Sequence, residues 1–212
     1  LWEVEDPSPF GIVGLSSTNN GEVDGQLREG YIRKFKEKPT QEEAFSNVIN
    51  AGLYILEPEV MALVPEGEKY DFSKNLFPRL LDMGWPMYAQ AINGVWFDVG
   101  SPQELIRAQN VLIQQREELP FPLPEGSRIE QGSFFHPTAE VSDDSNVEES
   151  VIAQNAFVGP NSVLVNCVLM NGSRVEEGAQ LENCILSPGA VVSANVSAAN
   201  VILGDDERLK ND

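Results

Sequence analysis

The spacing of hydrophobic residues changes near residue 120, and the two parts of the chain predict different structures. In the first part, apolar runs at Phe10–Leu15 and Tyr31–Lys36 predict short strands. Asp71 begins a segment with the apolar spacing of a helix, which Gly84 ends. A second amphipathic helix follows the capping box that starts at Ser101. Strands that alternate with helices predict an α/β domain.

Shorter elements are expected between these helices. Met87–Ile92 and Val95–Phe97 have the composition of strands, and Asn93-Gly94 between them is typical of a tight hairpin turn. Glu57-Pro58 predicts the start of a short helix, because proline is favoured in the first turn.

The second part of the chain repeats every 17 residues. One column consists of valines at Val141, Val158, Val175 and Val192. Another column consists of asparagines at Asn166, Asn183 and Asn200. Columns at a fixed period predict stacked, equivalent units. Apolar residues recur at every fifth or sixth position, so each unit is expected to be a coil of three short strands. Stacked valines would fill the interior, and stacked asparagines would hydrogen-bond along one corner.

These patterns divide the chain into four segments. We expect the α/β part at residues 1–118, a linker at 119–130, a β-helix at 131–206 and a tail at 207–212. The linker is predicted from three prolines within residues 119–125, since proline cannot continue a helix.

Composition narrows the possible functions. The chain has 33 acidic and 14 basic residues, and its formal net charge of −19 argues against binding nucleic acid. No run of about 18 apolar residues occurs, so no membrane-spanning helix is predicted. Cys167 and Cys184 lie one period apart and are expected to stack as small apolar residues. Two cysteines do not form a disulfide framework, which favours a reducing cytoplasm.

Phe35–Pro39 ends an apolar run with charged side chains. Glu37 could accept hydrogen bonds from hydroxyl groups, and Lys38 could neutralise a phosphate. Pro39 is expected to hold Lys38 in an extended conformation. Solvated charges at the end of a strand would show the same pattern, so both interpretations stay open.

Asp98 follows the apolar residues Trp96 and Phe97. A carboxylate there could bind a divalent cation, because Mg²⁺ takes one or two carboxylates together with phosphate oxygens and water. Asp98 could instead cap the turn before the helix at Ser101.

Small residues follow the apolar pair Val48-Ile49. Asn50 and Gly52 could let the backbone approach a ligand closely, and Gly11 has a similar position after Phe10. A strand bulge is the alternative use of such a glycine.

The order of these motifs resembles the second half of the sugar-nucleotide pyrophosphorylases, which join a sugar 1-phosphate to a nucleoside triphosphate. The finer similarity is to mannose-1-phosphate guanylyltransferases of bacteria and archaea. The repeat resembles the hexapeptide left-handed β-helix, and its handedness is implied by this resemblance alone. The matching segments are Val4–Pro7 with Phe10-Gly11, Phe35–Pro39, Ile49–Gly52, Asp71–Ser73 with Leu76–Pro78, and Trp96–Ser101.

The resemblance implies half of a Rossmann-like catalytic domain followed by a β-helix. It implies that Lys38 and Asp98 are catalytic, and that Asp98 binds Mg²⁺. It also implies a group of substrate-binding residues that grips the sugar 1-phosphate. This group comprises Gly11, Glu37, Lys38, Asn50 and Gly52.

The family's glycine-rich phosphate loop and its second magnesium-binding aspartate have no counterpart in these residues. The chain starts at Leu1 and not at Met, so we expect a fragment. Without the phosphate loop and the second aspartate, we expect this fragment to be inactive alone. GDP-mannose is the expected product. Glucose-1-phosphate thymidylyl-, uridylyl- and adenylyltransferases remain alternatives, as does a non-catalytic subunit. A homo-oligomer through the β-helix is also expected. A hexapeptide acyltransferase, with His136 as its base, is a third and poorer match.

Overall fold

The computed structural model describes residues 1–211 and separates the chain into two compact units. The first unit is Leu1–Trp96, and the second begins at Phe97. The helix expected after Ser101 therefore belongs to the same unit as the repeat, whereas the sequence pattern groups it with the α/β part. Within residues 1–211, none of the helices has the length and apolar character needed to cross a membrane.

The first unit is built on a five-stranded antiparallel sheet with the order β1-β4-β2-β3-β5. Strand β2 is buried at all six positions, which matches its continuous run of small and apolar residues. The strands are β1 (Trp2–Glu3), β2 (Gly11–Ser16), β3 (Glu29–Glu37), β4 (Val48–Ile49) and β5 (Tyr88–Gln90).

Helical segments pack beside this sheet. They are α1 (Pro58–Met61), a π-helical turn (Phe72–Leu76) and α2 (Phe77–Asp82). Asp71 caps this region as predicted, because its carboxylate accepts a hydrogen bond of 2.9 Å from the backbone of Lys74. Leu76, Phe77 and Leu80 are buried and pack against Phe35 of β3.

The predicted hairpin at Asn93-Gly94 is wrong. Strand β5 forms, but Val95–Phe97 is not a strand. The backbone of Ala91 donates to the carbonyl of Arg28, and that of Ile92 donates to the carbonyl of Leu1. Because these pairings with distant segments use the donors beyond β5, no strand pair forms across the turn.

The repeat forms a parallel β-helix with three sheets, as its 17-residue period predicts. The first sheet consists of β6 (Arg128–Glu130), β7 (Ser133–Phe135), β10 (Val151–Ile152), β13 (Val168–Leu169), β16 (Ile185–Leu186) and β19 (Ile202–Leu203). The second consists of β8 (Glu140–Val141), β11 (Phe157–Val158), β14 (Arg174–Val175), β17 (Val191–Val192) and β20 (Arg208–Leu209). The third consists of β9 (Asn146–Glu148), β12 (Val163–Val165), β15 (Gln180–Glu182) and β18 (Ser197–Ala199). Among the β-helix strands within residues 1–211, only β6 pairs antiparallel, with β7.

The register of the strands follows the sequence columns. Val158 pairs with Val141 on one side and with Val175 on the other, and each of these steps is 17 residues. One inward residue of each strand fills the interior, so Ile152, Leu169 and Leu186 are buried above one another. The β-helix extends to β20, past the predicted end at residue 206.

The asparagine column marks the corners of the coil. Asn166, Asn183 and Asn200 have positive φ angles of 52°, 53° and 58°. Asparagine is one of the few residues that tolerates this left-handed conformation. Among residues 1–211, no side-chain hydrogen bond joins these three asparagines, so the predicted ladder is wrong. Their backbone conformation explains the column instead.

Helix α3 (Pro102–Gln114) covers part of the outer face of the first sheet, and a short 3₁₀ turn, Arg116–Glu118, follows it. Ile106 is buried against the outward residues Val168 and Ile185. Asn110 donates a hydrogen bond of 3.1 Å to the side chain of Asn166. These apolar outer positions explain why the helix belongs to the second unit.

Candidate functional site

Lys38 lies immediately after the end of strand β3 and has an unusual backbone conformation. Its φ is 45°, in the left-handed region, so the predicted extended conformation is wrong. The backbone of Lys38 donates a hydrogen bond of 2.8 Å to the carbonyl of Phe10, and Pro39 is buried. These two contacts hold the turn. A non-glycine residue in this region costs about 1–3 kcal/mol, and such strain is concentrated at ligand-binding sites.

Gly11 lies directly opposite Glu37 in the antiparallel pair of β2 and β3. A Cβ atom at Gly11 would lie 2.7 Å from Oε2 of Glu37 and 2.7 Å from Cζ of Phe35. Real side chains do not approach this closely. The missing side chain therefore lets the Glu37 carboxylate lie across the backbone of β2, which is the close approach expected of this glycine.

Asn50 connects this strand pair to the following loop. Its backbone donates a hydrogen bond of 2.8 Å to the carbonyl of Gly11. Its side-chain oxygen accepts a bond of 3.1 Å from the backbone of Gly52, whose φ is 79°. Its side-chain amide donates to the hydroxyl of Tyr54 at 2.6 Å and to that of Ser73 at 3.5 Å. The structure thus brings Gly11, Asn50 and Gly52 together.

Tyr54 belongs to this cluster, although sequence reasoning missed it. Burial raises the pKa of Tyr54, and the negative charges of Glu37 and Asp71 raise it further, against the effect of the hydrogen bond from Asn50. The phenol is therefore neutral near pH 7 and keeps its hydrogen atom for donation. Its position four residues after Asn50, beyond the flexible Gly52, is the signal that could have identified it.

Trp96 closes one side of the same unit. Its indole nitrogen donates a hydrogen bond of 3.1 Å to the carbonyl of Ala51, and its ring meets that of Phe10 edge to face at 5.8 Å. The contacts of Gly11, Glu37 and Asn50 described above form a polar cluster in the first unit. We define the polar cluster as Gly11, Glu37, Lys38, Asn50, Gly52 and Tyr54.

Asp98 lies in the second unit and is exposed. Its backbone carbonyl accepts a hydrogen bond of 2.8 Å from Gly100. The cap of α3 is Ser101, whose hydroxyl accepts a bond of 3.2 Å from the backbone of Glu104. Asp98 therefore takes part in the turn before this helix through its backbone carbonyl, while Ser101 caps the helix itself.

Asp98 fits a magnesium site only in part. Residues 1–211 contain no group of three or more His, Cys, Asp or Glu side chains that could hold a metal ion. Asp98 supplies one carboxylate, and Mg²⁺ commonly binds to one or two carboxylates while substrate phosphates and water complete its shell. The donor type therefore fits, provided that phosphate oxygens supply other ligands.

The other reactive side chains have structural contacts. His136 makes a 3.0 Å hydrogen bond with the hydroxyl of Thr138 in its own turn. Cys167 and Cys184 are free and buried. A hydrogen bond with Cys184, together with burial, raises the pKa of Cys167, which favours the unreactive thiol form.

Comparisons with known proteins agree with this arrangement. A family model described as nucleotidyl transferase matches residues 1–115, and one described as GMPPB C-terminal domain matches residues 129–212. The chain belongs to the nucleotidyl transferase family. The first match covers more than half of the chain, and the second covers the β-helix.

Relatives of this chain differ in the substrates that their names give. A UTP–glucose-1-phosphate uridylyltransferase of Synechocystis is 32% identical over 69% of this chain and 40% of its own length. A mannose-1-phosphate guanylyltransferase of Mycobacterium tuberculosis is 29% identical over 84% of this chain and 45% of its own length. A probable mannose-1-phosphate guanylyltransferase of Arabidopsis thaliana is 29% identical, over 84% and 50% respectively. The chain spans about half the length of these relatives or less.

Proposed function

We propose that the polar cluster binds the sugar 1-phosphate in a nucleotidyl transfer reaction, and that the product is GDP-mannose. The observation that carries this proposal is the pairing of Gly11 with Glu37 beside the left-handed Lys38. This arrangement places an acceptor for hydroxyl groups next to a cation, and strained turns such as the one at Lys38 are concentrated at ligand sites.

Each member of the cluster has a role in this proposal, and that of Gly11 is to leave room for the carboxylate of Glu37. Glu37 accepts hydrogen bonds from sugar hydroxyls, and Lys38 neutralises the sugar phosphate. Asn50 and Gly52 present side-chain and backbone groups at the edge of the sugar. Tyr54 donates from its neutral hydroxyl. Catalysis in such a reaction depends on positioning and on neutralising charge as a phosphate oxygen attacks the α-phosphorus and pyrophosphate leaves.

Asp98 is proposed to hold the metal ion. Bound Mg²⁺ would neutralise charge on the phosphate oxygens. Glu37, Lys38 and Asp98 are all present in the motifs that resemble the family, which favours an enzyme over a non-catalytic subunit. The association of copies through the β-helix and a cytoplasmic location remain predictions.

The choice of sugar and base rests on the relatives. The finer motif similarity and the guanylyltransferases of M. tuberculosis and A. thaliana favour mannose 1-phosphate with GTP. The Synechocystis uridylyltransferase makes glucose 1-phosphate with UTP the second candidate.

Binding of the sugar phosphate tests this function directly on the chain. Calorimetry should detect the binding of mannose 1-phosphate to the chain. Lys38→Ala should weaken this binding about tenfold or more, because a charge-assisted hydrogen bond contributes roughly 1.5–3 kcal/mol. Lys36→Ala is the matched control. Lys36 is exposed two residues earlier and pairs at 2.9 Å with Glu43, so its loss should leave binding unchanged.

Two results would contradict the proposal. Equal binding by Lys38→Ala and the unchanged chain would remove Lys38 from the site. Tighter binding of glucose 1-phosphate than of mannose 1-phosphate would favour the second candidate.

A further inference from the structure

The chain contains three asparagine–glycine pairs, and the structure holds them differently. They are Asn20-Gly21, Asn93-Gly94 and Asn171-Gly172. Such a pair is chemically labile, because the backbone nitrogen of the glycine can attack the side-chain amide carbon of the asparagine. Glycine has no side chain to hinder this attack. The attack needs a glycine N–H group that is free to turn toward the amide carbon, so the hydrogen bonds of that group control the rate.

Two of the pairs have a glycine N–H group that is already engaged. The backbone of Gly21 donates a hydrogen bond of 3.2 Å to the carbonyl of Thr18. The backbone of Gly172 donates a bond of 2.9 Å to the carbonyl of Gln154, in the preceding coil of the β-helix. Each of these hydrogen bonds must break before the glycine nitrogen can react, and local opening of the structure costs free energy.

The pair Asn93-Gly94 has no such restraint. Within residues 1–211, the N–H group of Gly94 donates to none of the backbone carbonyls. Both residues are exposed, and nothing lies within 4 Å of a Cβ atom placed at Gly94. The hairpin that the sequence predicts here does not form, so no cross-strand hydrogen bond restrains this turn. The glycine nitrogen is therefore free to approach the side chain of Asn93.

We propose that Asn93 is a site of spontaneous deamidation, and that the fold protects Asn20 and Asn171. The nitrogen of Gly94 forms a bond to Cγ of Asn93 and gives up its proton, and ammonia leaves from Cγ as a succinimide ring closes. Water then adds to either carbonyl carbon of the ring and opens it. One opening gives aspartate, and the other gives isoaspartate, in which the former side chain continues the backbone. Either product adds one negative charge at neutral pH, and water is the only co-reactant.

The isoaspartate product changes the connection between β5 and Trp96. This connection is held at both ends. The backbone of Ile92 donates a hydrogen bond of 3.0 Å to the carbonyl of Leu1, and the indole of Trp96 donates one of 3.1 Å to the carbonyl of Ala51. Isoaspartate inserts an extra atom into the backbone between these two contacts. Ala51 belongs to the loop that carries two residues of the polar cluster, so we expect the modification to loosen one edge of that cluster.

Ageing of the whole folded chain at mildly alkaline pH tests the proposal. Peptide mass spectrometry follows the mass increase at each of the three asparagines. Deamidation of Asn93 should be at least about tenfold faster than that of Asn171, because the Gly172 amide reacts only in the rare molecules in which its hydrogen bond is open. The matched control is the same chain unfolded in urea, where all three glycine amides are free and the three rates should become similar.

Three results would overturn the proposal. In the folded chain, these are equal rates at the three pairs, or a faster reaction at Asn20 or Asn171 than at Asn93. The third is a preference for Asn93 that persists undiminished in urea, which would assign the difference to local sequence and not to the fold.

Hydrogen exchange tests the expected effect on the structure. Ion exchange separates the aged form by its added negative charge, and a protease that cuts before aspartate but not before isoaspartate identifies the isoaspartate product. In that product, the amide of Ile92 should exchange at least about tenfold faster than in the fresh chain. Asn93→Ser, which has no amide to lose, is the control and should exchange like the fresh chain after the same ageing.

Unchanged exchange of the Ile92 amide in the isoaspartate product would remove the expected loosening. Neither the mass measurement nor the exchange measurement involves a sugar phosphate, so the proposed function stands or falls separately.

Discussion

At the scale of single residues, the candidate site depends on backbone conformations that side-chain chemistry alone does not reveal. The motif around Glu37 and Lys38 was recognisable from its charges. The left-handed turn at Lys38 was not, because it results from a hydrogen bond to Phe10, which is distant in sequence. The small size of Gly11 predicts a close approach at this position, and in the structure the carboxylate of Glu37 makes that approach.

Gly11→Ala should destabilise the first unit and displace Glu37. The added Cβ would lie 2.7 Å from two side-chain atoms, and overpacking of this kind costs about 1–3 kcal/mol. Urea unfolding followed by tryptophan fluorescence measures this, because Trp2, Trp85 and Trp96 all belong to the first unit.

Gly25→Ala is the control for that substitution. Nothing lies within 4 Å of a Cβ at Gly25, so the free energy of unfolding should stay within about 0.5 kcal/mol. Equal stability of the Gly11 and Gly25 variants would show that Glu37 moves aside without cost.

At the scale of elements, periodicity determined the β-helix but not every pairing of the first unit. A 17-residue repeat determines the strand pairs of the β-helix, because each strand pairs with the strand that lies 17 residues away. The hairpin at Asn93-Gly94 failed because Arg28 and Leu1 supply competing partners. Residues at 53–56 were not predicted as a strand, and they remain unpaired within residues 1–211.

The corner asparagines give an element-scale prediction. Asn183→Ala should lower the free energy of unfolding of the β-helix by about 1–2 kcal/mol, because alanine at a φ of 53° is strained. Asn183→Gly should cost less, since glycine adopts positive φ readily. Thermal unfolding followed by circular dichroism would compare the two variants.

Asn146→Ala is the matched control, because Asn146 lies within strand β9 rather than at a corner. If Asn183→Ala were as stable as Asn183→Gly, the asparagine side chain, and not the backbone angle, would explain the column.

At the scale of the whole molecule, the net charge of −19 affects stability more than fold. Repulsion among carboxylates opposes the compact state and is screened by salt. The chain should therefore unfold at a higher temperature in about 0.1 M than in about 0.01 M NaCl at pH 7, as the Debye length falls from roughly 30 to 10 Å. Scanning calorimetry measures this shift.

The same comparison near pH 4.3, the isoelectric point of the sequence, is the control for charge repulsion. The net charge is then close to zero, so the salt effect should largely disappear. A melting temperature independent of salt at pH 7 would contradict this account.

The sequence alone determined the features that depend on local or strictly periodic order. These include the β-helix and its register, the cap at Asp71, and the residue types of the candidate site. Such features follow from the spacing of residue types along the sequence, which can be read without a structure. Only the tertiary structure decided what depends on contacts between distant segments. The turn at Lys38, the place of Tyr54 beside Asn50 and the packing of α3 on the β-helix all depend on which surfaces meet, and no local pattern encodes that choice.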